Sequence, residues 1–163
     1  MVKIIIAFIL TIALTACQLN GDMTKTQYQV FVNQGDSLPL TKIQTIDGDT
    51  INLQNQNKRK LIVLFATWCS DSNRLLRALN TSDFVVDNDI EVVAIAREED
   101  AETVALWRDI NEINVPLAID PNREIYQRFA SAGIPRLIMV TKDNRIASMV
   151  LAEGYKQLDY IQW

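Results

Sequence analysis

The sequence predicts an α/β sandwich: a central mixed β-sheet flanked by helices on both faces. Short apolar runs of strand length alternate with segments of helical period, the pattern of strands joined through crossover helices. A final pair of strands, separated by a short polar turn, closes the sheet as a hairpin. The length agrees, because 163 residues, 48% of them hydrophobic, are enough for one sizeable core and too few for two.

Met1–Ala16 carries one basic residue, Lys3, followed by an apolar run from Ile4 that Thr11 interrupts before Ile12, Ala13 and Leu14. This reads as a signal peptide, being too short for a spanning helix with polar flanks. Residues 17–34 are polar and varied and fit a tether, within which Tyr28, Val30 and Val32 alternate as in a short strand. The folded domain is assigned to residues 35–163 and opens with Gly35-Asp36-Ser37-Leu38-Pro39. Ile43–Ile46 and Thr50–Leu53 flank Asp47-Gly48, a two-residue hairpin turn.

Lys58-Arg59-Lys60 reads as a solvated turn before a strand. Leu61–Phe65 is apolar at every position, as in a central strand covered on both faces. A helix follows from near Cys69, with Leu75, Leu76 and Leu79 at helical spacing and Asn80-Thr81-Ser82 as its end. Ile90–Ala96 is the next buried strand. Glu98–Asn114 places Val104, Trp107, Ile110 and Ile113 at steps of three and is expected to be an amphipathic helix, its tryptophan in the core. After Pro116–Ile119 and the turn Asp120-Pro121-Asn122, a helix is expected from about Arg123 to Ala130. Gly133-Ile134-Pro135 precedes the strand Arg136–Val140. The turn Lys142–Arg145 leads into Ile146–Leu151, and a last short helix is expected over Lys156–Trp163.

The net charge is −4, and removal of the first sixteen residues with Lys3 leaves 15 basic and 20 acidic residues, a charge of −5. With no long basic run, nucleic acid is not an expected partner. There is no histidine, which removes the commonest general base and zinc ligand; zinc sites, serine–histidine triads and cysteine–histidine dyads are excluded. No metal or other cofactor is implied.

Leu14-Thr15-Ala16-Cys17 resembles the lipobox of bacterial lipoproteins, which assigns Cys17 to lipidation and the chain to a membrane in the cell envelope, facing the periplasm. Gln18 follows Cys17 where an inner-membrane retention signal has aspartate, which points to the outer membrane. With Cys17 lipidated, Cys69 is the only remaining thiol, so no internal disulfide forms. Trp68-Cys69-Ser70-Asp71-Ser72 places that thiol where a buried strand turns into a helix, and the unpaired N–H groups there favour its thiolate. Asp71 opposes that field and Arg74, about one turn on, offsets a part of that opposition, which leaves the net direction open.

The order of these motifs resembles the thioredoxin superfamily, and more closely its TlpA/ResA and AhpC/TSA (redoxin) branch. The likeness spans about residues 35 to 163. It is carried by Gly35-Asp36 with Pro39, then Asp47-Gly48, then Ala66-Thr67-Trp68-Cys69 and Gly133-Ile134-Pro135. It implies a thioredoxin-like sandwich, Cys69 as the nucleophile, a cis-proline at Pro135 facing it, and substrate docking on Ile134, Pro135 and Trp68. Three positions depart from the family. Ser72 stands in place of the resolving cysteine, Val63 where thioredoxin has a buried acid, and Leu75 where many relatives have glutamate.

These residues support a monothiol thiol–disulfide oxidoreductase in which Cys69 forms a mixed disulfide with a protein or low-molecular-weight partner. Ser72 then hydrogen-bonds the sulfur, and an external thiol releases the product. The alternatives are a thioredoxin-fold lipoprotein that binds an envelope partner without turnover, and a peroxiredoxin-like antioxidant passing through sulfenic acid. The last lacks the threonine that peroxiredoxins carry three residues before the cysteine, since Ala66 stands there. Trp68 also serves as simple cover for apolar surface. Arg97 and Glu98 stand where ligands of open α/β sheets bind, or are solvated residues at a helix start.

Overall fold

The structure is a computed structural model that describes residues 28–163. Cys17 and the segment assigned as a signal peptide lie outside the described residues, as does the first part of the assigned tether. The chain forms a hairpin of β1 (Lys42–Gln44) and β2 (Thr50–Asn52), then β3 (Arg59–Phe65), α1 (Ser70–Asn80), β4 (Ile90–Arg97) and α2 (Ala101–Asn111). Next come β5 (Leu117–Asp120), β6 (Arg136–Val140) and β7 (Ile146–Leu151). The main sheet has the order β5-β4-β3-β6-β7. β3, β4 and β5 run parallel, while β6 and β7 pair antiparallel, so the sheet is mixed as expected.

β3 sits at the centre with Leu61–Phe65 no more than 1% exposed, which explains its unbroken apolar sequence. Its alternate residues face two separate cores. Leu61, Val63 and Phe65 pack with Leu75, Leu76 and Leu79 of α1 and Val104 of α2. Ile62 and Leu64 pack with Ile43 and Leu53 of the hairpin segment and with Tyr126 and Phe129. Burial of each α1 leucine stabilises the fold by about 1.5–3 kcal/mol, and this fixes α1 against β3 directly after the turn that carries Cys69.

The second face differs in detail from the sequence reading. The helix expected over 123–130 is a single 3-10 turn, Tyr126–Arg128, because the Asp120 carboxylate accepts the N–H groups of Ile125 and Tyr126 and holds them out of an α-helical ladder. Lys156–Trp163 likewise contains only the 3-10 turn Gln157–Tyr160. α2 is shorter than its periodic stretch: Glu112 takes a left-handed conformation and ends it, Ile113 is buried beyond its end, and Ile110 is 71% exposed.

Lys58-Arg59-Lys60 is not a solvated turn. Arg59 and Lys60 begin β3, and Lys60 is fully buried, its Nζ donating to Asn55 O (2.6 Å) and to Asn144 Oδ1. Residues 28–34, which the sequence reading gives to the tether, lie along the body. Val30 bridges Ala130, Phe31 N–H donates to Phe129 O at 2.8 Å, and Ser131 N–H donates to Gln29 O at 2.9 Å. The alternation of Tyr28, Val30 and Val32 thus marks an isolated bridge, not a named strand.

Candidate functional site

Cys69 is the N-cap residue of α1, with an extended backbone (φ −87°, ψ 120°) and no side-chain cap bond. The strand-to-helix reversal is closed by Cys69 N–H donating to Ala66 O at 3.2 Å. α1 accordingly directs the unpaired N–H groups of its first turn towards this end of the sheet. The thiol is partly buried and lies 3.9 Å from Ile134 O, and the Ile134–Pro135 peptide is cis. Cys69, Ile134 and Pro135, separated by 65 residues or more in sequence, therefore meet at one place. Trp68, the residue before Cys69 in the chain, is 66% exposed.

Ser72 is placed differently from the sequence expectation. It is fully buried, and its Oγ accepts from Ala66 N at 3.5 Å; no hydrogen bond joins it to Cys69 among the described residues. A serine on the inner face of the first turn braces the strand end, whereas the thiol at the N-cap is partly exposed and faces Ile134 O. Val63 and Leu75 are both 0% exposed within the apolar core. Asp71 forms an ion pair with Arg74, and the Arg74 guanidinium also donates to Gly154 O (2.7 Å) and stacks on Tyr155 at 4.6 Å. The acid in the first turn is thus answered by a fixed cation.

Other residues that build the site have no signature in the sequence. Asn73 Nδ2 donates to Thr67 O (2.6 Å) and Cys69 O (2.8 Å), while its Oδ1 accepts from the Trp107 indole at 2.8 Å. Trp107 also packs on Phe65, ring centroids 5.5 Å apart, so the tryptophan expected only in the core joins α2 to the cysteine loop. Glu99 is 9% exposed and accepts from Thr67 N (2.8 Å) and from the Thr67 hydroxyl. The single available clue was position: Asn73 stands one turn after Cys69, and Glu99 stands just after a strand parallel to β3.

Beside Pro135, Tyr126 Oη donates to Gly133 O (2.6 Å), and the buried Arg136 donates to Tyr126 Oη (3.3 Å) and Ala132 O (2.5 Å). Arg97 lies over the Tyr126 ring at 4.9 Å and pairs with Glu98 at 2.9 Å; Glu98 itself has a positive φ of 60°. Arg97 thus reaches the proline loop through Tyr126, and both residues precede the start of α2 at Ala101. No group of three or more potential metal ligands occurs among the described residues.

A parallel core extended by an antiparallel pair, a cysteine capping the first helix and a cis-proline facing it define a thioredoxin-like protein. The family model described as Redoxin matches residues 33–157, and the chain belongs to that family. A candidate peroxiredoxin of Mycobacterium tuberculosis is 27% identical over 135 residues, covering 80% of this chain and 83% of that one. The thiol-disulfide oxidoreductase ResA of Bacillus cereus is 20% identical over 147 residues, 85% of each chain. Among solved structures, a candidate protein disulfide isomerase from Bacteroides thetaiotaomicron superposes with a TM-score of 0.74 at 20% identity, covering 82% of this chain and 87% of that chain. A secreted M. tuberculosis disulfide oxidoreductase homologous to E. coli DsbE gives 0.62 at 16% identity, covering 72% and 89%.

Proposed function

We propose that the protein is a monothiol thiol–disulfide oxidoreductase of the cell envelope, anchored to the outer membrane through a lipidated Cys17. The observation that carries the reading is the meeting of Cys69 Sγ with the carbonyl before the cis-proline, at 3.9 Å, at the head of α1. The Cys69 thiolate attacks one sulfur of a substrate disulfide, forming a mixed disulfide and expelling the other sulfur as a thiolate. An external thiol, of protein or low molecular weight, then attacks that bond, carries the substrate away as a new disulfide and restores the Cys69 thiolate. Ile134, Pro135 and Trp68 receive the substrate around the thiol. Ser72 supports the turn and takes no part in displacement.

Peroxide reduction has less support here, although one relative is a candidate peroxiredoxin. Ala66 has no hydroxyl, and the neighbouring Thr67 hydroxyl is committed to Glu99. A partner-binding role without turnover is separated by experiment. Intact-mass spectrometry after treatment with oxidised glutathione is expected to find one adduct, located on Cys69 and absent in Cys69→Ser. A folded wild-type protein that takes up no adduct would leave binding alone.

A further inference from the structure

Gly133 precedes the Ile134–Pro135 peptide and has a φ of +91°, a conformation that favours glycine. Space excludes a side chain there as well. A Cβ added to Gly133 would stand 2.8 Å from Cδ2 and 3.0 Å from Cε2 of Tyr28, and 3.1 Å from Cδ1 of Leu151. The Tyr28 ring therefore rests on the backbone that leads into the carbonyl facing Cys69. The Gly133 carbonyl is held in turn by the Tyr126 hydroxyl at 2.6 Å.

Tyr28 is itself held in place by hydrogen bonds of the residues that follow it. Gln29 N–H donates to Ser131 Oγ and its carbonyl accepts Ser131 N–H, both at 2.9 Å, and Phe31 N–H donates to Phe129 O at 2.8 Å. The Arg123 guanidinium fixes Ser131 O at 2.7 Å. This short stretch lies before the redoxin match at 33–157.

We infer that Tyr28 is a positioning residue for the substrate loop: its ring clamps Gly133 and so sets where the Ile134 backbone meets a docked disulfide. The inference rests on the thiol–disulfide reading above. A docked peptide must place its sulfur in line with Cys69, and a loop displaced by an ångström can cost one to two orders of magnitude in rate. A small disulfide that needs no docking is insensitive to the same displacement.

The test uses a short peptide whose cysteine is disulfide-linked to thionitrobenzoate, with Ellman's reagent as the undocked comparison. In both, Cys69 displaces thionitrobenzoate, read by absorbance, and retains the other half as a mixed disulfide. Tyr28→Ala is expected to slow the peptide reaction roughly tenfold and leave the reaction with Ellman's reagent unchanged. Tyr28→Phe is expected to restore the peptide rate, because the ring and not the hydroxyl touches Gly133. Should Tyr28→Ala melt below the assay temperature, Tyr28→Leu carries the same comparison. Equal peptide rates in wild type and variant, or an equal fall with both reagents, overturns the clamp. A wild type inert to both reagents overturns the oxidoreductase reading first, and the clamp with it.

Discussion

Asn73 donates to the carbonyls of Thr67 and Cys69 and accepts the Trp107 indole, so one side chain ties the cysteine turn to its own helix and to α2. Removing it strands the Thr67 carbonyl and an indole N–H in partly buried surroundings, where each unmet group is costly, while the Cys69 carbonyl keeps the Asn73 backbone N–H at 3.0 Å. Asn73→Ala is expected to lower unfolding free energy by about 2–3 kcal/mol, read as a lower urea midpoint at constant m-value. The meeting of Cys69 with Ile134-Pro135 was legible in the sequence through the order of the Trp68-Cys69 and Gly133-Ile134-Pro135 motifs. Asn73 and Glu99 were not, since a polar side chain at a helix start is ordinary in sequence. Only the folded backbone shows which carbonyls and N–H groups lie within its reach.

The element that presents Trp107 to Asn73 is α2, and its start depends on Asp100, whose carboxylate accepts the Thr103 N–H at 2.8 Å. That hydrogen bond holds the Asp100 carboxyl below its ordinary value of 3.8. A folded-state value below the unfolded one means that the stabilisation is complete above the unfolded value and fades as pH falls through the folded one. Asp100→Ala is therefore expected to lower the thermal midpoint at neutral pH, with the gap to wild type closing below about pH 4. A gap independent of pH would remove the carboxylate from the account. The elements read correctly from sequence were those with long apolar patterns: β3, β4, β6, β7 and the buried face of α1. Two of the readings that failed were decided by polar side-chain contacts, one local and one distant in the chain. Asp120 converts the expected helix after β5 into one 3-10 turn, and the Asn144 amide draws Lys60 into the interior.

At the scale of the whole molecule, the described residues contain one thiol, and the position one helical turn from it carries a serine turned into the core. A dithiol site releases its substrate by internal attack; among the described residues no second thiol is present to do so. Under the proposed monothiol mechanism, decay of a Cys69 mixed disulfide depends on a second molecule, which makes the cycle bimolecular at both ends. The glutathione adduct of the wild type is thus expected to persist after excess reagent is removed, then discharge at a rate proportional to added thiol. Ser72→Cys places a second sulfur within one helical turn of Cys69, at a fully buried position, in exchange for the hydroxyl that accepts the Ala66 N–H. That variant is expected to lose the adduct without added thiol and to end as a Cys69–residue 72 disulfide, seen by mass spectrometry under non-reducing conditions. Spontaneous discharge of the wild-type adduct, at a rate independent of thiol, would mean that some other group in the protein resolves it.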